Sequence, residues 1–329
     1  MSKSFVSRVF FMKTVFMCIG GIFALLAISG GAAWQYLGPT ASAPATVFVV
    51  PQQSAEFDVP DALFRAHIIQ HKRAFDWLYG LLVAGKTTAP GGYRLHGGMF
   101  AWDVIRTLTI PPSYVWVSVR PGLRKEQIGR LLSEKLAWSP AQRSSWDAVF
   151  TGEEGSYFPD TYLLPRDEPA PAIAKRFINR FNEKIAPYAS SFASRHMSTG
   201  AATTIASLIQ REAAGPTDMP IISGIIQNRL DKGMPLQIDA TIQYIKGNER
   251  SGWWPIVKGQ DTSIVSPYNT YLNTGLPPTP IANPGLSAIA AAANPAKTAC
   301  LYYLHDDTRQ IHCAVTYAEH LSNIQKYLE

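Results

Sequence analysis

The sequence predicts an α+β protein with an N-terminal transmembrane helix, a small αβ subdomain and a larger mixed α/β domain. Three observations lead there. An uncharged apolar run fills Thr14–Trp34. Short β-branched stretches, Thr46–Val50 and Tyr114–Val119, alternate with helical stripes. The 329 residues are 47% hydrophobic and 16% charged, a globular composition that excludes wholesale disorder. A chain this long can bury a sizeable core and hold more than one domain.

A helix of about 20 apolar residues crosses the hydrocarbon core of a bilayer. Thr14–Trp34 meets that length and carries Val15, Phe16, Met17, Ile19, Ile22, Phe23, Leu25, Leu26 and Ile28. Lys3, Arg8 and Lys13 precede it, so residues 1–13 are expected to stay in the cytoplasm, with the rest outside. A cleaved signal peptide is the rival reading, but its apolar region runs only ~7–15 residues. Ala41-Ser42-Ala43 resembles a cleavage site, yet Pro44 would hinder cutting there. The expectation is an uncleaved anchor over 14–34 and a linker over 35–45, where Gly38-Pro39 and Pro44 fall.

Residues 46–150 form the expected N-terminal region. Thr46–Val50, ended by Pro51, reads as a strand. A helical stretch begins after Pro60 and contains Leu63, His67, Gln70 and Lys72. Another covers Ala74–Ala84, with Phe75, Leu78, Tyr79 and Leu82 on one face. Gly91-Gly92 punctuates the chain before a brief strand, Tyr93-Arg94-Leu95. Trp102, Ile105 and Leu108 suggest a small helix. Tyr114–Val119 is a strand, Pro121-Gly122 a turn, and Ile128, Leu131, Leu132 and Leu136 a helical stripe.

Residues 151–329 form the larger expected domain. Helices are read over Pro171–Ile185 and Thr203–Ala214, then from an Asp218 cap to Gly233. From Gly233 to Pro284 the chain is rich in Pro, Gly, Asn and Tyr and reads as structured loop, the usual home of binding residues. Helix returns at Leu286–Ala293. A hairpin follows, with Leu301–Leu304 and Ile311–Ala314 as arms, and a last helix covers Tyr317–Leu328.

The formal net charge of +6 is scattered. It suits a polyanionic wall or a membrane surface as well as an ordinary solvated surface. No basic aromatic array points to nucleic acid, and no glycine-rich phosphate motif occurs. Of three cysteines, Cys18 lies in the apolar run, while Cys300 and Cys313 flank the hairpin. If exported, these two could pair; two buried thiols are the equal alternative. There is no CxxC and no HExxH, and His67 and His71 share the expected helix face without a third ligand. Neither metal nor cofactor is expected.

Glu212 carries the candidate chemistry. It falls three residues after Ile209, four after Leu208 and seven after Ile205, so it continues their stripe while Gln210 and Arg211 point elsewhere. A carboxylate facing inward is costly unless paired or protonated. Desolvation raises its pKa, and a glutamic acid kept protonated can donate a proton to a glycosidic oxygen. The alternative is that Glu212 pairs with an arginine such as Arg229. Ordinary glycosidases need a second carboxylate. Asp160, Asp218, Asp231 and Asp239 are available, and spacing places none of them beside Glu212.

At these residues the chain resembles the MltG-type (YceG-like) endolytic murein transglycosylases. The resemblance rests on EGSYFPDTY (Glu154–Tyr162), IASLIQREA (Ile205–Ala213), IIQNRLDKGMPLQIDATIQY (Ile225–Tyr244), SPYNTYLNTGLPPTPIANPG (Ser266–Gly285) and AAANPAKTACLYYL (Ala291–Leu304). More loosely it extends from Thr46 to the C-terminus. It implies Glu212 as the catalytic acid and base. Many members carry another Glu two residues earlier, where this chain has Gln210. It further implies that Asn228, Arg229, Gln237, Asp239, Tyr268, Asn269, Thr270 and Tyr271 line a glycan cleft. Tyr can stack on a pyranose face and Asn can bond hydroxyls and acetamides. Tyr93–Leu136 resembles the family's LysM-like subdomain, and residues 151–329 its catalytic domain. The resemblance implies endolytic cleavage of the MurNAc-β-1,4-GlcNAc bond of nascent strands, leaving 1,6-anhydro-MurNAc ends and possible termination of strand elongation. It also implies a single-pass protein of the bacterial cytoplasmic (inner) membrane, with its catalytic domain extracytoplasmic and peptidoglycan synthases as partners. The alternatives are a hydrolase using Glu212 with a second carboxylate, and a non-catalytic peptidoglycan-binding membrane protein. Trp253-Trp254 departs from the family pattern; the pair would widen the cleft platform or cover the core.

Overall fold

Period-two burial defines the first strand. β1 (Thr46–Val50) buries Phe48 and Val50 and turns Val49 outward. The structure is a computed structural model that describes residues 25, 29–39, 45–53, 56–83, 87–149 and 154–329. The expected anchor over 14–34 lies outside them except for Leu25 and residues 29–34, as do residues 1–13 and Cys18. Among the described residues no helix is long and apolar enough to cross a membrane. Residues 29–37 are helical, so Gln35–Leu37, read as linker, continues a helix; residues 40–44 lie outside the description.

The chain divides into two compact units between Trp116 and Val117, ahead of the 150/151 boundary read from the sequence. In the first, β1 pairs antiparallel with β2 (Gly91–Leu95) from Thr46↔Leu95 to Val50↔Gly91. Gly92 of β2 also pairs with Tyr114, where β3 (Tyr114–Ser118) begins. Gly91-Gly92 therefore lies inside a strand. A Cβ on Gly91 would stand 2.6 Å from the Pro112 side chain and the Tyr114 carbonyl, and φ is +153° there, so only glycine permits this approach.

α1 (Val59–Arg65) starts at Asp58, whose carboxylate accepts the Asp61 N–H. The helix expected to run on through Lys72 stops at Arg65. His67 takes φ +55°, a left-handed conformation that ends a helix, and α2 (Lys72–Val83) starts afresh. His67 and His71 therefore share no helix face. α2 buries Phe75 and Val83, leaving Leu82, expected inward, exposed. α3 (Ala101–Thr109) buries Val104, Ile105 and Leu108, while Trp102 faces out.

In the second unit, Val119 N–H donates to the Asp160 carbonyl beside β4 (Thr161–Pro165), a strand the sequence did not announce. α4 (Lys125–Leu136) is followed by an unexpected helix, α5 (Pro140–Val149), whose Trp146 packs over Gly129. Glu154 sits at a crossing of loops. Its Oε1 accepts from Asn283 Nδ2 at 2.6 Å and its Oε2 from Lys125 N–H at 3.2 Å. Burial pushes its pKa up to about 7. Asn283 also donates to the Leu123 carbonyl and accepts the Tyr157 N–H, so the EGSYFPDTY segment is tied to the Pro-rich loop.

α6 (Ala170–Ile185) and α7 (Ala189–Ser194) lead to α8 (Thr199–Glu212). α8 is buried on all sides over Ala202–Ile209, not along one stripe. Its hydroxyls find internal acceptors: Thr203 and Thr204 donate to the Thr199 and Gly200 carbonyls, and Ser207 donates to the Thr204 carbonyl. α8 packs against α9 (Met219–Asp231) and the alanine-rich α11 (Leu286–Ala293). α10 (Asp239–Lys246) lies within the stretch read as loop. It buries the consecutive Ala240, Thr241 and Ile242, so it shows no stripe at helical spacing.

The chain closes with hairpin β5 (Tyr302–His305) and β6 (Ile311–Ala314), then α12 (Tyr317–Tyr327). Of the two cysteine readings, the structure takes the disulfide: Cys300 and Cys313 are bonded with Cα atoms 5.8 Å apart. Replacing both by serine is expected to lower stability by about 2–4 kcal/mol through the released unfolded chain. A urea midpoint matching that of the wild type would refute this bracing role.

Candidate active site

Glu212 is the last residue of α8, and its carboxyl is taken up by a hydroxyl instead of a cation. Tyr303 Oη donates to Oε2 at 2.6 Å. Burial raises the Glu212 pKa, and the charge of Asp239 adds to the rise; Tyr303, the Ala240 N–H and His305 oppose it, and the net direction is upward. Tyr303 is itself pushed well above the usual phenol value by burial and by Glu212, so it stays a donor. The pairing alternative does not occur: among the described residues no ion pair joins Glu212 to Arg229. That guanidinium donates to the carbonyls of Leu301 (2.6 Å), Leu236 (2.8 Å) and Pro235 (3.1 Å) and to Gln237 Oε1 (3.3 Å).

Around the acid lies a cavity of about 410 Å³ lined by Glu212, Arg229, Leu236, Gln237, Asp239, Tyr271, Tyr302, Tyr303, Tyr317 and His320. α10 presents its first residue, Asp239, whose Oδ1 accepts from Tyr271 Oη at 2.5 Å. Gln237 stands just ahead with φ +52°, a left-handed setting unusual for glutamine and fixed by its N–H bond to the Thr270 carbonyl. His320 stacks on Tyr302 with ring centroids 5.5 Å apart, and burial, then Arg229, lowers its pKa, which favours the neutral ring.

The structure thus brings Glu212, Arg229, Gln237, Asp239 and Tyr271 into one cavity. The other expected lining residues lie in its supports. Asn228 donates to the Thr298 and Cys300 carbonyls. Tyr268 Oη is bonded to Thr279. Asn269 and Thr270 are buried; Asn269 holds the Thr262 and Ile264 carbonyls, and Thr270 Oγ1 accepts the Ile238 N–H. Of the candidate second carboxylates, only Asp239 reaches the cavity. Asp160 bonds Arg180, and Asp231 accepts from Gln227. Asp218 precedes α9 without capping it with its side chain. Its carboxylate accepts the Ala214 and Gly215 N–H groups and His305 instead. Tyr302, Tyr303, Tyr317 and His320 escaped the sequence reading, because an aromatic pair in a hairpin arm signals only a strand. Among the described residues no cluster of three His, Cys, Asp or Glu could hold a metal.

Such a carboxyl can give a proton and later take one back. Tyr303→Phe removes a hydrogen bond that favours the carboxylate, so the Glu212 pKa should climb further. Activity that needs the protonated form falls as pH rises through that pKa. The alkaline limb of the kcat/KM profile is therefore expected to move to higher pH in Tyr303→Phe. A limb that moves down, or stays in place, would contradict the assignment.

Residues 48–326 match the model of the YceG-like family. The chain is 31% identical over 306 residues to the endolytic murein transglycosylase of Bacillus subtilis, covering 85% of this chain and 84% of that protein. It is 26% identical over 321 residues to an endolytic murein transglycosylase of Streptococcus pneumoniae, covering 85% of this chain and 58% of that longer protein. A crystal structure of a YceG-like protein from Listeria monocytogenes superposes with a TM-score of 0.55 at 26% identity, covering 85% of this chain and 99% of that one.

Proposed function

The chain belongs to the YceG-like family, and from that premise we propose that it is an endolytic murein transglycosylase, a lyase that cuts peptidoglycan glycan strands with Glu212 as its acid and base. The observation that carries the reading is the Glu212 carboxyl, partly buried in a cavity of about 410 Å³ with a tyrosine hydroxyl for a partner.

In this reading Glu212 protonates the O4 oxygen leaving from N-acetylglucosamine as its bond to C1 of N-acetylmuramic acid breaks. The oxocarbenium-like centre so formed is shielded by the cavity. The Glu212 carboxylate then takes the proton of the C6 hydroxyl, whose oxygen bonds to C1 and closes a 1,6-anhydro ring. No water is consumed, so no second carboxylate is required. Arg229, Gln237, Asp239 and Tyr271 line the glycan; Asn228, Tyr268, Asn269 and Thr270 hold the loops that carry them. The nascent strand is the target, and its synthases are the partners. Tyr93–Leu136 is read as the LysM-like part.

Placement follows the same premise. The apolar run 14–34 anchors the chain in the cytoplasmic membrane, with Lys3, Arg8 and Lys13 inside. The Cys300–Cys313 disulfide supports an oxidising, extracytoplasmic side for the catalytic part.

A second reading draws on Asp239, which shares the cavity: a hydrolase in which Asp239 handles water. Mass spectrometry of digested, uncross-linked strands separates the two. Transglycosylation leaves products lighter by one water than the reducing ends of hydrolysis. Reducing ends alone would overturn the lyase reading.

A further inference from the structure

Arg211 precedes the acid in the sequence and has no part in the chemistry above. Its guanidinium lies over Trp254, Cζ 3.8 Å from the ring centroid. Its Nε is buried without a hydrogen-bond partner, and Glu212 acts on the group through its charge without forming an ion pair among the described residues. Nearby, Arg124 lies 4.1 Å over Tyr244, 5.2 Å over Trp253 and 5.8 Å over Trp254. Arg124 is already committed, donating to the Tyr244 and Gly247 carbonyls with Glu126 3.7 Å away. The tryptophan pair thus belongs to a platform on which both arginines leave Nε without a hydrogen-bond partner, while only Arg124 has its Nη1 committed to carbonyls among the described residues. Gly122 packs beside it, where a Cβ would stand in contact with Nη1 at 3.4 Å.

A partly desolvated guanidinium without an acceptor is costly, and a carboxylate relieves that cost with two parallel hydrogen bonds. Stacking on Trp254 fixes the plane of the fork in advance. Arg211 points away from the face of Glu212 but feels its charge, so an anion held by the guanidinium stays within electrostatic range of the acid. The substrate class already proposed supplies such an anion, because glycan strands carry acidic peptide stems.

We propose that Arg211 and Trp254 form a carboxylate-binding subsite beside the Glu212 cavity, which holds the acidic peptide stem of the strand being cut. This rests on reading the Glu212 cavity as the glycan site. The test titrates the full-length Glu212→Gln protein with uncross-linked strands bearing native stems, and with strands whose stem carboxylates have been converted to amides. Native strands are expected to bind about tenfold tighter, the worth of one charge-assisted pair. Adding Arg211→Gln should bring the ratio close to one. Arg211→Lys keeps the charge but not the fork, and should leave a ratio of about threefold. Equal affinity for the two strands, or a tenfold ratio that survives either Arg211 variant, overturns the proposal. Binding is read without cleavage: if only the catalytic reading is wrong, Glu212→Gln cuts like the wild type while the binding ratio persists.

Discussion

Glu212→Gln is expected to lower the release of anhydro-ended muropeptides by about 10²–10⁴-fold, the range removed with a general acid/base. The substitution keeps the shape and still accepts the Tyr303 hydroxyl, so the fold should survive. It removes the cavity carboxyl whose pKa is raised by burial and which can both give and take the proton. Binding of strands should persist, so the loss belongs in kcat more than in KM. The measurement is chromatography and mass spectrometry of products from purified strands. Release at the wild-type rate would remove Glu212 from the mechanism.

Arg229→Met should produce the largest loss of stability in the catalytic part. The side chain is 9% exposed and donates to the carbonyls of Leu301, Leu236 and Pro235. Each carbonyl left buried without a donor costs roughly 1–3 kcal/mol, so a total of at least about 3 kcal/mol is expected. For a unit of this size that lowers Tm by about 10 °C. The loss should extend to cleavage, because Leu301 leads directly into the strand that carries Tyr303. Thermal unfolding checks the first part and strand cleavage the second. A Tm within about 2 °C of the wild type would show that the carbonyls find other donors.

The helix ending at Glu212 was legible because Ile205, Leu208 and Ile209 repeat at helical spacing. The motifs around it carried the family, and the resemblance implied Glu212 as the acid. What the residues alone left open was whether Glu212 is partnered by an arginine or by neutral groups. The structure decides for Tyr303, 91 residues downstream, in a strand whose pattern is that of any hairpin arm. The loop motif split in the same way. Gln237, Asp239 and Tyr271 face the cavity, while Asn269 and Thr270 turn to the backbone. Turn-rich sequence marks a binding loop but not which of its side chains point outward, since neighbouring backbone groups compete for the same amides and hydroxyls.

By itself the sequence determined what local periodicity and turn chemistry can specify: the α+β alternation, the hairpin with its flanking cysteines, the strands of the first unit and the inward acid. Only the tertiary structure decided that the cysteines join, that Arg229 serves carbonyls instead of Glu212, that Asp239 shares the cavity, and that tyrosines from the last hairpin and helix close it. The reason is distance along the chain. Helical and strand repeats are written over a few residues, whereas the partner of a buried charge is whichever group packing brings to it.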